Sequence, residues 1–241
     1  MTSKNYLIFG GTNGIGLFLV KELLKSKNNL TLVVRNIDKA RLLFNEEVEL
    51  VEVDLENSNT LLETLNKIEI NSKFDGLIYT AGIEGTFPLK SASHEKLIKY
   101  YNINTISFHL ALSFFSKKKI SNDSSSIVVI SSIMSTIGAS GKSVYSASKS
   151  SLNGLVRSAA LELSSRKIRV NAISPGLTLT DMGNALLDRM SNSEQDKLLK
   201  EYPLGFGKSE YISDLIIFLL SDKSIWITGQ NLTVDGGYTI K

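Results

Sequence analysis

The stretch "NYLIFGGTNGIGLFLVKELLK", residues 5–25, joins a short apolar run to a run of helical periodicity through a glycine cluster. Gly10, Gly14 and Gly16 let the backbone turn tightly and approach a pyrophosphate, whose charge is favoured by free amides and the positive end of the helix dipole. This order predicts a dinucleotide site, with a purely structural turn as the alternative. The predicted contacts are Gly10, Thr12, Asn13, Gly14, Ile15 and Gly16.

The rest of the chain repeats the alternation of strands and helices. Further strand-sized runs, rich in Val and Ile, are "LTLVVR", "VELVEVDL", "FDGLIYTAG", "SIVVISS", "RVNAISPG" and "GQNLTVDGG". Helical periodicity marks residues 15–25, 37–44, 59–68, 94–115, 144–164 and 209–220. These patterns predict a single-domain α/β fold over residues 1–241, a Rossmann-like doubly wound sheet of about seven parallel strands with helices on both faces.

One segment interrupts the alternation. Residues 178–207 follow a strand but are polar, contain Gly and Pro, and show helical periodicity only around residues 185–199. Because ligands bind outside the carboxyl ends of parallel strands, a long insertion there predicts a lid over the substrate. A surface excursion without a role in binding is the alternative.

Composition excludes several classes of function. The chain has no cysteine, and His94 and His109 lack the spacing of paired metal ligands, so no metal site is predicted. The net charge of +3 is scattered, and the basic run at residues 117–119 is interpreted as a solvated helix end, which argues against nucleic-acid binding. Short apolar runs and a start without a cleavage pattern predict a cytoplasmic protein that does not bind membranes.

The end of the second strand distinguishes between cofactors. Val34 offers no carboxylate for the ribose hydroxyls of NAD(H), and Arg35 offers a planar cation suited to a 2′-phosphate, so NADP(H) is predicted. The alternative is that Arg35 is a solvated strand end. In that case Asp38, as the N-cap of the next helix, reaches the ribose and NAD(H) is used.

The stretch "SVYSASKSS", residues 143–151, carries a candidate proton donor. Tyr145 and Lys149, at i and i+4, share one face of a helix. A free phenol has a pKa of about 10, too high for efficient exchange near neutrality, so the Lys149 ammonium is expected to lower it. A solvated surface pair is the alternative.

Together these motifs resemble the short-chain dehydrogenase/reductase family over nearly the whole chain. The matching order is the glycine loop, "VVISS" ending at Ser132, "YSASK", the Pro-Gly turn of "RVNAISPGLTLTDM" and the closing "ITGQNLTVDGG". The sequence looks most like the branch of 3-oxoacyl-carrier-protein reductases and sugar or polyol dehydrogenases. That likeness implies hydride transfer between NADP(H) and a small carbonyl compound or secondary alcohol.

The resemblance also implies roles for individual residues. Tyr145 would be the acid and base and a cofactor contact, and Lys149 its electrostatic partner and a contact of the nicotinamide ribose. Ser132 would donate to the substrate oxygen; the alternative is that Ser132 caps the backbone at the strand end, a role for which Ser131 is an equal candidate. Asn104 would anchor a water that resupplies protons, although Asn102 is close to it. Further implied cofactor contacts are Asp54 at the adenine, Leu55, Ala81, Gly82, Pro175, Gly176, and Thr180 or Thr178 at the carboxamide.

Three departures from the family pattern affect local contacts. Phe9 stands where the family commonly has Thr before the glycine loop, and Tyr79 and Thr80 stand where it often has two asparagines. These changes put the hydrogen bonds between strand ends in doubt. The "PLGFG" at residues 203–207 lacks the arginine of the family's "PLGRFG", so no substrate contact is inferred there.

The resemblance further implies a homo-oligomer, a tetramer or a dimer, built from the helices around residues 94–115 and 144–164. A catalytically idle dinucleotide sensor or scaffold is the alternative function. It predicts the loss of an acid–base group, whereas Ser132, Tyr145 and Lys149 are all present.

Overall fold

Seven strands form one parallel sheet. A computed structural model gives the structure of residues 3–240, so the predicted domain bounds at residues 1 and 241 lie outside the described residues. The strands are β1 (Asn5–Phe9), β2 (Asn29–Val34), β3 (Glu49–Glu52), β4 (Phe74–Tyr79), β5 (Ser121–Ile130), β6 (Arg169–Pro175) and β7 (Asn231–Val234). Their order in the sheet is β3-β2-β1-β4-β5-β6-β7. The predicted fold class is confirmed.

Helices cover both faces of the sheet. They are α1 (Gly14–Lys25), α2 (Ile37–Phe44), α3 (Leu61–Asn66), α4 (His94–Tyr101), α5 (Ser107–Phe115), α6 (Ser143–Glu162), α7 (Asp181–Leu187), α8 (Asn192–Lys200) and α9 (Ser209–Leu220). Side chains alternate along β1, so that Leu7 and Phe9 pack with α3, α5 and α6, and Tyr6 and Ile8 pack with α1, α2 and α9. Each face of the sheet therefore has its own apolar core.

Three elements differ from the sequence-based prediction. The predicted helix at residues 94–115 is interrupted by a π-helical turn, Asn102–Ile106. The segment 178–207 contains two helices, α7 and α8, instead of one helical pattern, and α8 begins with a capping box formed by Ser191 and Glu194. Strand β5 begins at Ser121, earlier than predicted. The polar residues before Ser126 do not show the apolar pattern of a strand, so the prediction omitted them, and they join β4 across an irregularity in register.

The strand order reverses between β1 and β4. Successive strands run from β1 to β3 on one side and from β4 to β7 on the other, so the loops after β1 and β4 diverge and leave a crevice. Within residues 3–240, no helix is both long and apolar enough to cross a bilayer. The same part of the chain contains no cluster of three or more His, Cys, Asp or Glu side chains suited to a metal ion.

Candidate functional site

A cleft of about 360 Å³ opens at the carboxyl ends of β1 to β5. It lies at the strand-order reversal, where doubly wound sheets bind their ligands. Most of the residues predicted as cofactor contacts line it, and these are Gly10, Thr12, Asn13, Gly14, Ile15, Gly16, Arg35, Asp54, Leu55, Ala81, Gly82, Tyr145, Lys149 and Thr180.

The glycine loop has the backbone conformation and the space that a pyrophosphate requires. Gly10 and Gly14 have φ values of 85° and 50°, which side chains with a Cβ rarely adopt. Helix α1 begins at Gly14, and the Asn13 side chain makes no capping hydrogen bond, so the amides of the first turn face the cleft without that acceptor. An added Cβ on Gly14 would lie 3.2 Å from Thr180 Cγ2. These features fit a dinucleotide phosphate group.

The strand ends beside this loop are braced in spite of the altered sequence. The Phe9 carbonyl accepts hydrogen bonds from the Thr80 and Ala81 amides, at 2.9 and 3.1 Å, and from Thr80 Oγ1 at 3.0 Å. The rings of Phe9 and Tyr79 stack, with centroids 5.2 Å apart, and the Tyr79 hydroxyl donates to the Ile103 carbonyl at 2.6 Å. An aromatic pair and one threonine therefore connect β1 to β4 where the family commonly uses other polar residues.

The other end of the cleft carries the groups expected at the adenosine. Arg35 is exposed at its lip, after the buried Val34. Asp54 also lines the cleft, and its Oδ1 accepts from the Glu56 amide at 3.0 Å, so it is a turn residue as well. The alternative in which Asp38 reaches the ribose assumes that Asp38 is the N-cap of α2, and this assumption is wrong. The N-cap of α2 is Asn36, whose side chain accepts from the Lys39 amide at 2.8 Å.

Tyr145 is almost completely buried near the start of α6, at 9% exposure, and its hydroxyl interacts with the side chain of Ser132. Burial raises the pKa of Tyr145, and the interaction with Ser132 opposes that rise. Burial is the largest influence on this pKa, and the lowering by Lys149 that the sequence predicts stays a prediction.

The two serines at the end of β5 have different contacts. Ser132 contacts Tyr145 and also accepts from the Met134 amide at 3.2 Å, so the predicted capping role coexists with the contact to the phenol. Ser131 lines the cleft and donates to the Lys149 carbonyl at 3.3 Å. Of the pair, Ser132 is the serine placed beside the phenol.

Lys149 is 4% exposed, which argues against a solvated surface pair. Its ammonium donates to the Ile130 carbonyl at 2.8 Å, and burial lowers the pKa of Lys149 to about 8. An added Cβ on Gly82 would lie 3.2 Å from Lys149 Nζ, so the glycine leaves room for the ammonium. A lysine with this pKa can both hold and release a proton near neutral pH.

Asn104 lies fully buried in the π-helical turn between α4 and α5. Its Oδ1 accepts from the Ile83 amide at 2.9 Å, and its Nδ2 donates to the Ile83 carbonyl and to Ser148 Oγ, both at 3.0 Å. Asn102 instead donates to the Glu56 carbonyl at 2.6 Å. Asn104 therefore joins the loop after β4 to the helix that carries Tyr145, and Asn102 does not.

Five predicted site residues do not line the cleft, and these are Ser132, Asn104, Pro175, Gly176 and Thr178. Thr178 is buried and donates to the Gly176 carbonyl at 3.2 Å, whereas Thr180 lines the cleft and caps α7. The cleft also contains residues that the sequence did not single out as contacts: Val33, Val34, Val53, Glu56, Thr80, Ile83, Ile103, Ile130, Ser131, Asp181 and Met182. Most of them adjoin predicted contacts, so extending each motif by one or two residues would have found them.

Comparison with known proteins supports the same interpretation. A family model described as "Enoyl-(Acyl carrier protein) reductase" matches residues 10–239. The chain is 34% identical over 239 residues to "Carbonyl reductase family member 4" of Xenopus laevis, covering 98% of each protein. It is 30% identical over 247 residues to the 3-oxoacyl-[acyl-carrier-protein] reductase FabG of Chlamydia pneumoniae, covering 99% of this chain and 98% of the relative.

Solved structures have the same fold over the full length. A short chain dehydrogenase family protein from Francisella tularensis is 28% identical, with a TM-score of 0.86 and complete coverage of both chains. The structure described as "ElxO with NADP Bound" is 27% identical, also with a TM-score of 0.86 and complete coverage.

Proposed function

The chain belongs to the short-chain dehydrogenase/reductase family, and from that premise we propose that it transfers a hydride between NADP(H) and a carbonyl compound or secondary alcohol. The observation that carries the proposal is the interaction of the Tyr145 hydroxyl with the side chain of Ser132, beside a cleft that also contains the buried ammonium of Lys149. Reduction of a carbonyl requires a proton and stabilisation of the oxygen as it gains negative charge. Two adjacent hydroxyl groups meet both requirements.

The three side chains have complementary roles in this proposal. The Tyr145 hydroxyl gives its proton to the substrate oxygen, and Ser132 donates a hydrogen bond that holds that oxygen in place. Lys149, whose pKa is about 8, contacts the nicotinamide ribose and stabilises the phenolate as the proton leaves. A bound nicotinamide dinucleotide supplies or accepts the hydride.

Proton resupply involves Asn104. Its side chain is committed to Ile83 and Ser148, and Ser148 Oγ in turn donates to the Tyr145 carbonyl at 2.8 Å. These bonds fix the π-helical turn against α6. We assign Asn104 the part of holding a water near Lys149, as the family resemblance implies.

The preference for NADP(H) rests on Arg35. Its guanidinium is exposed at the lip of the cleft, and no ion pair commits it within residues 3–240. A free guanidinium pairs well with a 2′-phosphate. The NADP bound in the related ElxO structure supports this choice.

The remaining parts of the proposal concern the lid and assembly. Met182 lines the cleft from α7, which supports a lid function for residues 178–207 within a single domain. A homo-oligomer is supported by apolar side chains that α4 to α6 leave exposed, namely Leu97, Ile98, Ile106 and Leu161. Light scattering at micromolar concentration tests the assembly, and a monomer would refute it.

The enzymatic proposal is tested by following NADPH oxidation against a panel of 3-oxoacyl thioesters, ketosugars, steroids, small diketones and an enoyl thioester. Carbonyl reduction by the wild type is expected. Tyr145→Phe is the matched control, because it removes one hydroxyl and keeps the ring. A protein that binds NADPH but catalyses neither carbonyl reduction with NADPH nor alcohol oxidation with NADP+ would favour the idle sensor.

A further inference from the structure

An ion pair beside Tyr145 has no part in the chemistry described so far. Lys142 Nζ contacts Glu84 Oε1, and the two side chains are only 10% and 12% exposed. Glu84 follows Ile83, which lines the cleft, and Lys142 precedes α6. Burying two charges costs more than their attraction returns unless the remaining donors and lone pairs also find partners. Stability alone is therefore a weak explanation for this pair.

The pair is held rigidly at the face of the phenol. Lys142 Nζ lies 5.9 Å from the centroid of the Tyr145 ring, within range of a cation–π contact. Glu84 Oε1 also accepts from Thr86 Oγ1 at 3.2 Å, and the Phe87 amide donates to the Gly141 carbonyl at 3.0 Å. The loops after β4 and before α6 are thus connected, and Glu84 fixes the position of the ammonium.

The Lys142 ammonium has unused hydrogen-bonding capacity. It carries three N–H donors. Within residues 3–240, Glu84 is the acceptor that it contacts. Burial lowers the pKa of Lys142 to about 8, so the group is still mostly charged at pH 7. A buried ammonium with spare donors next to the proposed proton donor is suited to bind an oxygen atom of the substrate.

The local charge indicates which kind of oxygen fits. Glu84 balances the charge of Lys142, so a substrate carboxylate that approached the ammonium would also meet the Glu84 carboxylate. Arg189, after α7, also acts electrostatically on Lys142, but its side chain is exposed and screened by solvent. An uncharged carbonyl oxygen gains the hydrogen bond without this repulsion.

We propose that Lys142, positioned by Glu84, selects substrates that carry a second, uncharged oxygen close to the reacting carbonyl, as in a keto ester or a diketone. This inference rests on the proposed function and deepens it. Lys142 contacts the substrate as a specificity-determining residue. Glu84 is a positioning residue, because it acts through Lys142.

The test measures kcat/KM with NADPH for three compounds: ethyl acetoacetate, acetoacetate and 2-hexanone. The wild type is expected to reduce the keto ester best. Lys142→Met should lower kcat/KM for the keto ester on the order of 10- to 100-fold, as expected for the loss of a hydrogen bond from a charged donor. The same substitution should change kcat/KM for 2-hexanone by less than about 2-fold. Lys142→Gln, which keeps a donor, should retain part of the preference.

Glu84→Gln gives an independent readout. This substitution leaves the positive charge of Lys142 uncompensated, so the ammonium attracts the carboxylate of acetoacetate. The ratio of kcat/KM for acetoacetate to kcat/KM for ethyl acetoacetate should therefore rise at least about 10-fold. A merely structural link between loops would lower both efficiencies and leave their ratio unchanged. NADPH affinity, measured by fluorescence titration, should be the same in all variants.

Two outcomes overturn the inference while leaving the proposed function standing. In the first, Lys142→Met lowers kcat/KM equally for the keto ester and for 2-hexanone. In the second, the wild type reduces carbonyl compounds that lack a second oxygen better than those that have one. If the wild type reduces no carbonyl compound, the proposed function fails and this inference fails with it.

Discussion

Lys149→Met should alter stability in a way that depends on pH, because it removes a charge that folding buries. Burial lowers the pKa of Lys149 from 10.5 to about 8. At about 1.4 kcal/mol for each pKa unit, the charged side chain costs the folded state about 3 kcal/mol at pH 7. The substitution also removes the hydrogen bond to the Ile130 carbonyl, at 2.8 Å, and leaving that carbonyl unpaired costs about 1–3 kcal/mol. The two effects nearly cancel at pH 7.

The pH dependence separates these contributions. The folded pKa of Lys149 is below the unfolded one, so between pH 8 and 10.5 the unfolded state binds more protons and the wild type gains stability as the pH rises. The variant lacks this gain. The free energy of unfolding of the wild type minus that of Lys149→Met should therefore increase by about 2–3 kcal/mol between pH 7 and pH 10.

Urea denaturation of both proteins at pH 7, 8.5 and 10, at one ionic strength, measures this difference. Lys142 and the tyrosines titrate in both proteins, so their contributions cancel. A difference that stays constant within about 0.5 kcal/mol over this range would show that Lys149 is not a buried charge with a lowered pKa. The variant should also lose carbonyl reduction by at least about 100-fold.

Three further changes test other parts of the structure. Arg35→Ser should raise KM for NADPH about 10- to 100-fold and leave KM for NADH unchanged, and equal effects on both would remove the argument for the 2′-phosphate. Gly16→Ala would place a Cβ 2.6 Å from Thr80 Oγ1, so the free energy of unfolding in urea should fall by about 1–3 kcal/mol. NADPH should also bind more weakly in a fluorescence titration, and unchanged binding would contradict this. Tyr79→Phe leaves the Ile103 carbonyl without its donor and should cost about 1–3 kcal/mol in the same denaturation assay, and a neutral change would indicate that another group replaces the hydroxyl.

The fold was predictable because its signals are local and repeated. All seven strands correspond to runs that the sequence shows, and the glycine loop lies at the first strand-to-helix turn as expected. Near-continuous apolar strands separated by helices leave few arrangements other than a parallel sheet. Strand order then fixes where the cleft opens.

Parts of the site depend on tertiary contacts that no local pattern encodes. The π-helical turn around Asn104 is held by Ile83 and Ser148, from elsewhere in the chain. The pKa of Tyr145 is raised because burial outweighs other influences, and spacing alone does not reveal burial. The contact between Glu84 and Lys142 joins two loops that are distant in sequence.

Deuterium transfer tests the central claim most directly. NADPH that carries deuterium at both positions of the reactive nicotinamide carbon is incubated with the protein and a carbonyl substrate, and the alcohol product is analysed by mass spectrometry. One deuterium on the new carbinol carbon is predicted, at a rate that Tyr145→Phe lowers at least about 100-fold although the variant still binds NADPH. Product without deuterium, or an unchanged rate in Tyr145→Phe, would contradict the proposed hydride transfer with Tyr145 as the proton donor.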